Sequence, residues 1–300
     1  MNSIYLTGSS GFVGTHLQSY LSSGYQFRPY NRGEAVFVQE GIVIHLAGKA
    51  HDTKNVVQPE EYYQVNTELT KKIFDAFLLS NASVFITLSS VKAAADVVAG
   101  VLTEEVKPNP QTHYGKSKLL AEQYILEQSI PAGKRVYIIR PCMIHGPGNK
   151  GNLNLLYRVV SKNIPWPLAA FNNQRSFCSV ENLCFVINEL THREDIPSGV
   201  YNMADDEAIS TNDLIRYIAE SLGRRPILLQ LPNNFVRAFA RLGDWLKLPL
   251  NSERLQKLTE SYVVSNQKIK SAIHKSFPLS AKEGLMRTFR SFDHIGVTTD

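Results

Sequence analysis

Tyr114 and Lys118 stand four residues apart in the segment THYGKSKLLAEQYI, which reads as the start of a helix. On a helix that spacing puts both side chains on one face. An ammonium beside a phenol favours the phenolate and lowers the Tyr pKa from about 10, which would make Tyr114 a general base near neutral pH. Read alone, the pattern is common, and an exposed Tyr–Lys pair is the plainer reading. A second feature adds to it: Ser89 and Ser90 end the apolar run VFITL, where a hydroxyl would meet the same ligand and share the proton. The third feature is the opening, MNSIYLTGSSGFVGTHLQSYL, with Gly8, Gly11 and Gly14 spaced three apart. Glycines of this kind serve any tight turn. Here they lie between a β-rich run, Ile4 to Leu6, and a helical pattern, Thr15 to Leu21. That context aims backbone N–H groups and a helix N-terminus at a pyrophosphate.

The elements that must hold these groups follow an alternating pattern. Apolar strand runs at 42–46 (IVIHL), 84–88 (VFITL) and 135–140 (RVYIIR) are separated by helical segments at 59–79 and about 112–128. Apolar strands alternating with helices indicate a parallel sheet covered on both faces, with ligands at the carboxyl ends of its strands. After Pro141 the pattern breaks into a Gly/Asn-rich loop, and GVYNMA (199–204) reads as a return to the sheet. The expected fold is α/β, a doubly wound Rossmann sheet with a smaller, mostly helical C-terminal lobe. The expected division assigns 1–150 and 176–205 to the dinucleotide-binding domain, and 151–175 and 206–300 to a substrate-binding lobe.

Composition narrows the class. With 43% hydrophobic and 20% charged residues among 300, the chain has material for an ample core. No apolar stretch approaches the ~20 residues of a membrane span, and a strand pattern begins almost at Met1, leaving no room for a signal peptide. A cytoplasmic protein is expected. Cys142, Cys178 and Cys184 are odd in number and lack metal-ligand spacing, and the eight histidines form no helical HxxxH pair, so neither a disulfide framework nor a metal site is expected. The net charge of +5 is spread out, which suits anionic small molecules and argues against nucleic acid. His51 reads as a satisfied loop histidine or as a group near the cofactor. The segment 233–248 (NNFVRAFARLGDWLKL) is amphipathic and basic. Such a helix suits a membrane surface, but with no adjoining lipid anchor it is expected to cover the substrate cleft.

TGSSGFVG, HLAG at 45–48, LSS at 88–90, YGKSK at 114–118 and RPCMIHGPG at 140–148 occur in the order and spacing of the extended short-chain dehydrogenase/reductases. Within them the chain resembles the UDP-glucose 4-epimerase-like branch of NAD(P)-dependent epimerases and dehydratases. It is also similar to bacterial UDP-sugar 4-ketoreductases, which carry a like SSxK segment and GPGxKGN loop. The resemblance implies Tyr114 as acid/base, Lys118 holding the nicotinamide ribose, and Ser90 bonded to the reacting sugar oxygen. It places Gly8, Gly11, Phe12, Val13 and Gly14 at the pyrophosphate, with Leu46, Ala47, Gly48, Ser89 and Pro141 lining the cofactor and Asn66 near the active-site helix. In the second lobe, Asn152 and Leu153 resemble a pair that holds the nucleotide diphosphate, and Arg175 and Arg254 resemble substrate contacts. A homodimer through helices 59–79 and 112–128 is implied as well.

The chain departs from that family in informative places. Dehydratases usually follow the catalytic hydroxyl with Asp-Glu, whereas Ser90 is followed by Val91-Lys92, which argues against dehydration. NAD-preferring members usually place an acid at the end of the second strand; this chain has Asn31-Arg32, which suits a 2′-phosphate, so NADP(H) is favoured over NAD(H). The segment 31–45 is too short for a strand, a helix and their turns, and His145 stands where a Tyr is common. The expected activity is hydride transfer at C4 of a nucleotide-linked hexose, as a 4-ketoreductase or a 4-epimerase. A catalytically idle nucleotide sensor would have no need of Ser90, Tyr114 and Lys118 together.

Overall fold

The apolar runs form the strands of a six-stranded parallel sheet in the computed structural model, which describes residues 2–49, 58–149, 151–246 and 251–293. The strands are β1 (Asn2–Thr7), β2 (Tyr25–Pro29), β3 (Glu40–His45), β4 (Asn81–Leu88), β5 (Arg135–Pro141) and β6 (Gly199–Met203). Their order is β2-β1-β3-β4-β5-β6, with every adjacent pair parallel. The winding reverses at β1, so the crevice for a ligand lies outside the carboxyl ends of β1 and β3. Three helices supply the site. Helix α1 is Phe12–Tyr20; α2 runs through Pro59–Tyr62, a π-helical stretch Tyr63–Glu68, and Leu69–Leu79; α3 is His113–Glu127. Residues 31–39 hold neither helix nor strand, so β2 is an edge strand.

The central strands are buried because helices cover them. Phe74 and Phe77 of α2 stack against Phe85 of β4 at 4.9 and 5.3 Å between ring centroids, and Ile125 of α3 joins the same cluster. Burying a side chain of that size contributes about 1.5–3 kcal/mol. A buried bidentate ion pair ties α3 to β5: Arg140 Nε donates to Glu122 Oε1 at 2.9 Å, and Nη2 donates to Oε2 at 2.5 Å. All three cysteines are buried, and none is in a disulfide among the described residues.

The chain divides into two units. Met1–Ile144, Val180–Ala204 and Val264–Pro278 form the sheet unit; His145–Ser179, Asp205–Val263 and Leu279–Asp300 form the other. Residues 264–278, expected in the smaller lobe, thus group with the sheet. The reason lies at its far edge. Lys268 Nζ donates to the Val200 carbonyl of β6 at 2.8 Å and lies over the Tyr201 ring, and Asn266 Nδ2 donates to the Ala204 carbonyl at 3.0 Å. An uncovered edge strand is a pairing hazard, and the helix Gln267–Ile273 covers this one. The second unit is mostly helical: Asn152–Ser161, Thr211–Ser221, Asn233–Leu246, Ser252–Thr259 and Ala281–Asp293. His145 is fully buried in it, with Nδ1 2.9 Å from Thr288 Oγ1 and Nε2 3.6 Å from an Asp205 carboxylate oxygen. Its place in the sequence motif therefore reflects packing of that unit.

Candidate active site

The site begins with the turn after β1. Gly8 has φ +71°, a left-handed conformation, and a Cβ there would lie 2.7 Å from the Ala47 backbone N, so only glycine fits. The Gly11 N–H donates to the Gly8 carbonyl at 3.0 Å, closing the turn, and Gly14 packs against that same carbonyl with no space for a side chain. Gly11 is the N-cap of α1 and offers no side-chain acceptor. The N–H groups of Phe12, Val13 and Gly14 accordingly find no protein acceptor among the described residues, leaving the positive end of α1 open to an anion. These residues fit the pyrophosphate of a dinucleotide.

The next wall follows β3. His45 is fully buried, bonded through Nδ1 to Thr7 Oγ1 (2.7 Å) and through Nε2 to Thr70 Oγ1 (2.9 Å), and burial pulls its pKa down to about 3, helped by Lys118. A neutral His45 thus pins β1, β3 and α2 together, while Thr7 Oγ1 also accepts the Ala47 N–H at 3.0 Å. Leu46 and Ala47 stay half-buried and Gly48 is exposed. A Cβ on Gly48 would lie 3.0 Å from Lys118 Nζ, so a bare backbone here lets the lysine reach forward. Pro141 is buried at the carboxyl end of β5.

Ser90, Tyr114 and Lys118 meet beyond β4. Thr112 caps α3 by accepting the Gly115 N–H at 3.2 Å, which starts the helix so that Tyr114 lies in its first turn. The Tyr114 hydroxyl is hydrogen-bonded with Ser90. Burial pushes the Tyr114 phenol above its ordinary value of 10.0; the Ser90 bond pulls it back, and Tyr62, whose ring meets Tyr114 edge-on at 6.0 Å, pushes it further up. Burial thus outweighs the downward pull, and the net shift of the phenol is upward. Lys118 is buried, and its Nζ donates to the Leu88 carbonyl at 2.8 Å. Burial brings that ammonium down to about 8, against the upward pull of Glu122. At neutral pH the resting site therefore holds a protonated phenol and a charged lysine. Ser89 Oγ is buried with no hydrogen-bond partner among the described residues, an orphan polar atom that a ligand group could satisfy.

Several supporting residues complete the site, of which only Asn66 was expected, from the family resemblance. Asn66, buried in the π-helical stretch of α2, accepts the Lys49 N–H at 2.8 Å and donates to Ser117 Oγ at 3.0 Å. Thr67 Oγ1 donates to the Ser117 carbonyl at 2.8 Å. Together they set the turn of α3 that carries Lys118. π-Helical turns concentrate at functional sites, and a polar Asn-Thr pair inside an apolar helix pattern was the available hint. Asp96 accepts the N–H groups of Gln111 (2.6 Å) and Thr112 (3.2 Å), tying the loop after Ser90 to the start of α3. Lys92 Nζ donates to the Asp96 carbonyl at 2.7 Å, so the lysine of the SSxK segment braces that loop.

At the end of β2, residues 31–34 form a turn closed by the Glu34 N–H donating to the Asn31 carbonyl at 3.2 Å. Asn31 and Arg32 are exposed, and Arg32 forms no ion pair among the described residues. Asn31 Nδ2 donates to Glu34 Oε1 at 2.9 Å, which brings a carboxylate into the turn that the sequence reading treated as neutral and basic. In the second unit, Asn152 is exposed at the first position of the helix Asn152–Ser161, and Leu153 is buried behind it. Arg175 Nη1 donates to the Lys257 carbonyl at 2.6 Å on the helix that also carries Arg254, so those two residues share one region. His51 lies outside the described residues.

A parallel sheet with a glycine turn, an open helix N-terminus and a Ser–Tyr–Lys set beyond its strand ends defines a nicotinamide-dependent Rossmann enzyme. Residues 4–204 match the model of the NAD dependent epimerase/dehydratase family, and the chain belongs to that family. It is 28% identical to a UDP-glucose 4-epimerase of Vibrio cholerae, over 97% of this chain and 95% of that one. It is also 28% identical to a GDP-6-deoxy-D-mannose reductase of Pseudomonas aeruginosa, over 79% of this chain and 86% of that one. The structure of RMD from Pseudomonas aeruginosa complexed with NADPH shares the fold, with a TM-score of 0.73 at 23% identity, covering 97% of this chain and 98% of that one. No described helix is long and apolar enough to cross a membrane, and the described residues form no cluster of metal-ligating side chains.

Proposed function

We propose that this protein reduces a 4-keto sugar of a nucleotide diphosphate, with NADP(H) as cofactor. The observation that carries the reading is Arg32, exposed at the end of β2 where it suits the 2′-phosphate of a reductant cofactor; the Ser90-bonded Tyr114 is placed to give the ketone oxygen its proton. When bound, the nicotinamide supplies the hydride. Tyr114 donates its proton to the ketone oxygen, and Ser90 Oγ holds that oxygen in line. Lys118, with one N–H on the Leu88 carbonyl, has two left for the ribose hydroxyls. Arg32 favours the 2′-phosphate, and Asn152, Leu153, Arg175 and Arg254 are proposed to hold the nucleotide diphosphate and its sugar. Dehydration is disfavoured because Val91 and Lys92 follow Ser90, and Lys92 is engaged with the Asp96 carbonyl. We further propose a cytoplasmic homodimer through α2 and α3, supported by the exposed Leu120 and Leu126 on α3.

A second reading is 4-epimerisation with NAD retained, favoured by Glu34, whose carboxylate suits ribose hydroxyls, and by the full-length likeness to the Vibrio cholerae epimerase. The test incubates purified protein with UDP-hexoses and with 4-keto-6-deoxy UDP-sugars, with and without added NADPH. Consumption of NADPH with the keto sugar supports the reductase. Interconversion of UDP-hexoses without added cofactor refutes it in favour of the epimerase.

A further inference from the structure

The helix Asn233–Leu246 of the second unit is turned the opposite way from an ordinary core-facing helix. Among its residues only Val236, Ala240 and Gly243 are buried. These are small residues, at a spacing that keeps them on one side of a helix. Its large apolar side chains face outward: Phe235 is 61% exposed, Trp245 is 79% exposed, and Phe239, Leu242 and Leu246 are exposed as well. At about 100° per residue, Leu242, Phe235, Leu246 and Phe239 form one continuous stripe, with Trp245 at its border. Arg241 and Arg237 come next around the helix, between Trp245 and the buried side. The helix rests on Val236, Ala240 and Gly243 and displays its aromatic side chains. Lys247 and Leu248, the end of the amphipathic segment, lie outside the described residues.

Charge says what the face suits. Arg237 and Arg241 are exposed and form no ion pair among the described residues. The helix has one acid, Asp244, whose carboxylate accepts from the Ser252 N–H (2.9 Å) and hydroxyl (2.5 Å) at the start of the next helix and keeps its charge. Two arginines against one carboxylate leave the helix net positive beside its aromatic stripe, on a chain of net charge +5. Phe, Trp and Leu beside arginines, on a helix lying flat, match the boundary between headgroups and acyl chains of an anionic bilayer. Trp prefers that boundary because its ring is apolar and its N–H needs a polar partner.

We propose that the helix Asn233–Leu246 docks this protein on a membrane surface rich in anionic lipid, with the aromatic stripe entering the interface, Arg241 beside Trp245 meeting headgroup phosphates, and Arg237 adding its charge from farther round the helix. The test uses the full chain with phosphatidylcholine vesicles made with and without phosphatidylglycerol. Wild type is expected to co-sediment with phosphatidylglycerol-containing vesicles and not with phosphatidylcholine alone, and to be released by salt. The emission of Trp245 should shift to the blue on binding, against a constant background from the buried Trp166. Arg237→Glu combined with Arg241→Glu should weaken binding by about tenfold or more, since each basic residue near the surface contributes about a kcal/mol. Phe235→Ser combined with Phe239→Ser should abolish the blue shift. All four side chains are exposed, so thermal melting should confirm that both variants fold. Absence of wild-type binding at low salt, or equal binding by both folded variants, overturns the proposal. So does self-association of wild type that the Phe variant removes without any vesicle binding, which would make the face a protein interface.

Discussion

Replacing Lys118 with Met should remove activity and at the same time make the fold more stable at neutral pH. The lysine's ammonium is buried, and its pKa falls from 10.5 to about 8. At about 1.4 kcal/mol per pKa unit, that shift corresponds to about 3 kcal/mol of burial cost carried by the charged form. Met fills a similar volume without charge, but it leaves the Leu88 carbonyl without its donor, which costs about 1–2 kcal/mol. The variant should therefore be more stable by about 1–2 kcal/mol at pH 7. Its pH dependence distinguishes this cause from generic packing. Because the folded-state pKa lies below the unfolded value, the unfolded chain binds more protons between about pH 8 and 10.5. The penalty is complete below about pH 8 and is relieved as pH rises towards 10.5, by at most about 1.4 kcal/mol per pH unit. The advantage of Met should accordingly shrink over that window and reverse at its top. Tyr114 also titrates differently in the folded state, but it does so in both proteins and drops out of the difference. The assay is urea unfolding of wild type and Lys118→Met, without cofactor, across about pH 7–10. A variant that is less stable at pH 7, or a gap that stays flat with pH, would refute the assignment of Lys118 as a strained, function-serving charge.

Tyr114→Phe removes the acid and keeps the ring packing; turnover should fall by about two orders of magnitude or more with sugar-nucleotide affinity little changed, measured by steady-state kinetics. Asn31→Asp combined with Arg32→Ala should move preference from NADP(H) towards NAD(H) by about ten- to a hundredfold, because the exposed guanidinium is lost and a second carboxylate joins Glu34 in the turn. Titration of both cofactors checks it, and a wild type that already prefers NAD(H) would sink the argument. Glu122→Gln leaves Arg140 charged and buried without its partner, so stability should drop by about 3–5 kcal/mol in urea unfolding. Loss of the Glu122 charge should also carry the Lys118 pKa further below 8, since that carboxylate now holds it up.

Much of the sheet unit was legible because its signals are local. A run such as IVIHL or VFITL is apolar at every position, which only a strand covered on both faces tolerates. Gly8 is required by a backbone angle and a close approach within a short turn, and Thr112 caps α3 three residues before Gly115. Helix periodicity likewise put Tyr114 and Lys118 on one face. Tertiary structure decided what those side chains became. Spacing alone suggested an ammonium lowering a phenol, yet burial dominates both groups, because the cost of a charge depends on how much solvent the whole fold excludes. Asn66, Asp96 and the Glu122–Arg140 pair act on the site across 17, 15 and 18 residues of chain, separations at which no sequence period operates. The segment 264–278 joined the sheet unit because β6 needed its edge covered, a demand set by the sheet's order. The helix Asn233–Leu246 shows the same division. Its amphipathic pattern is written in the sequence, but which face is buried was settled by packing, and the small residues won.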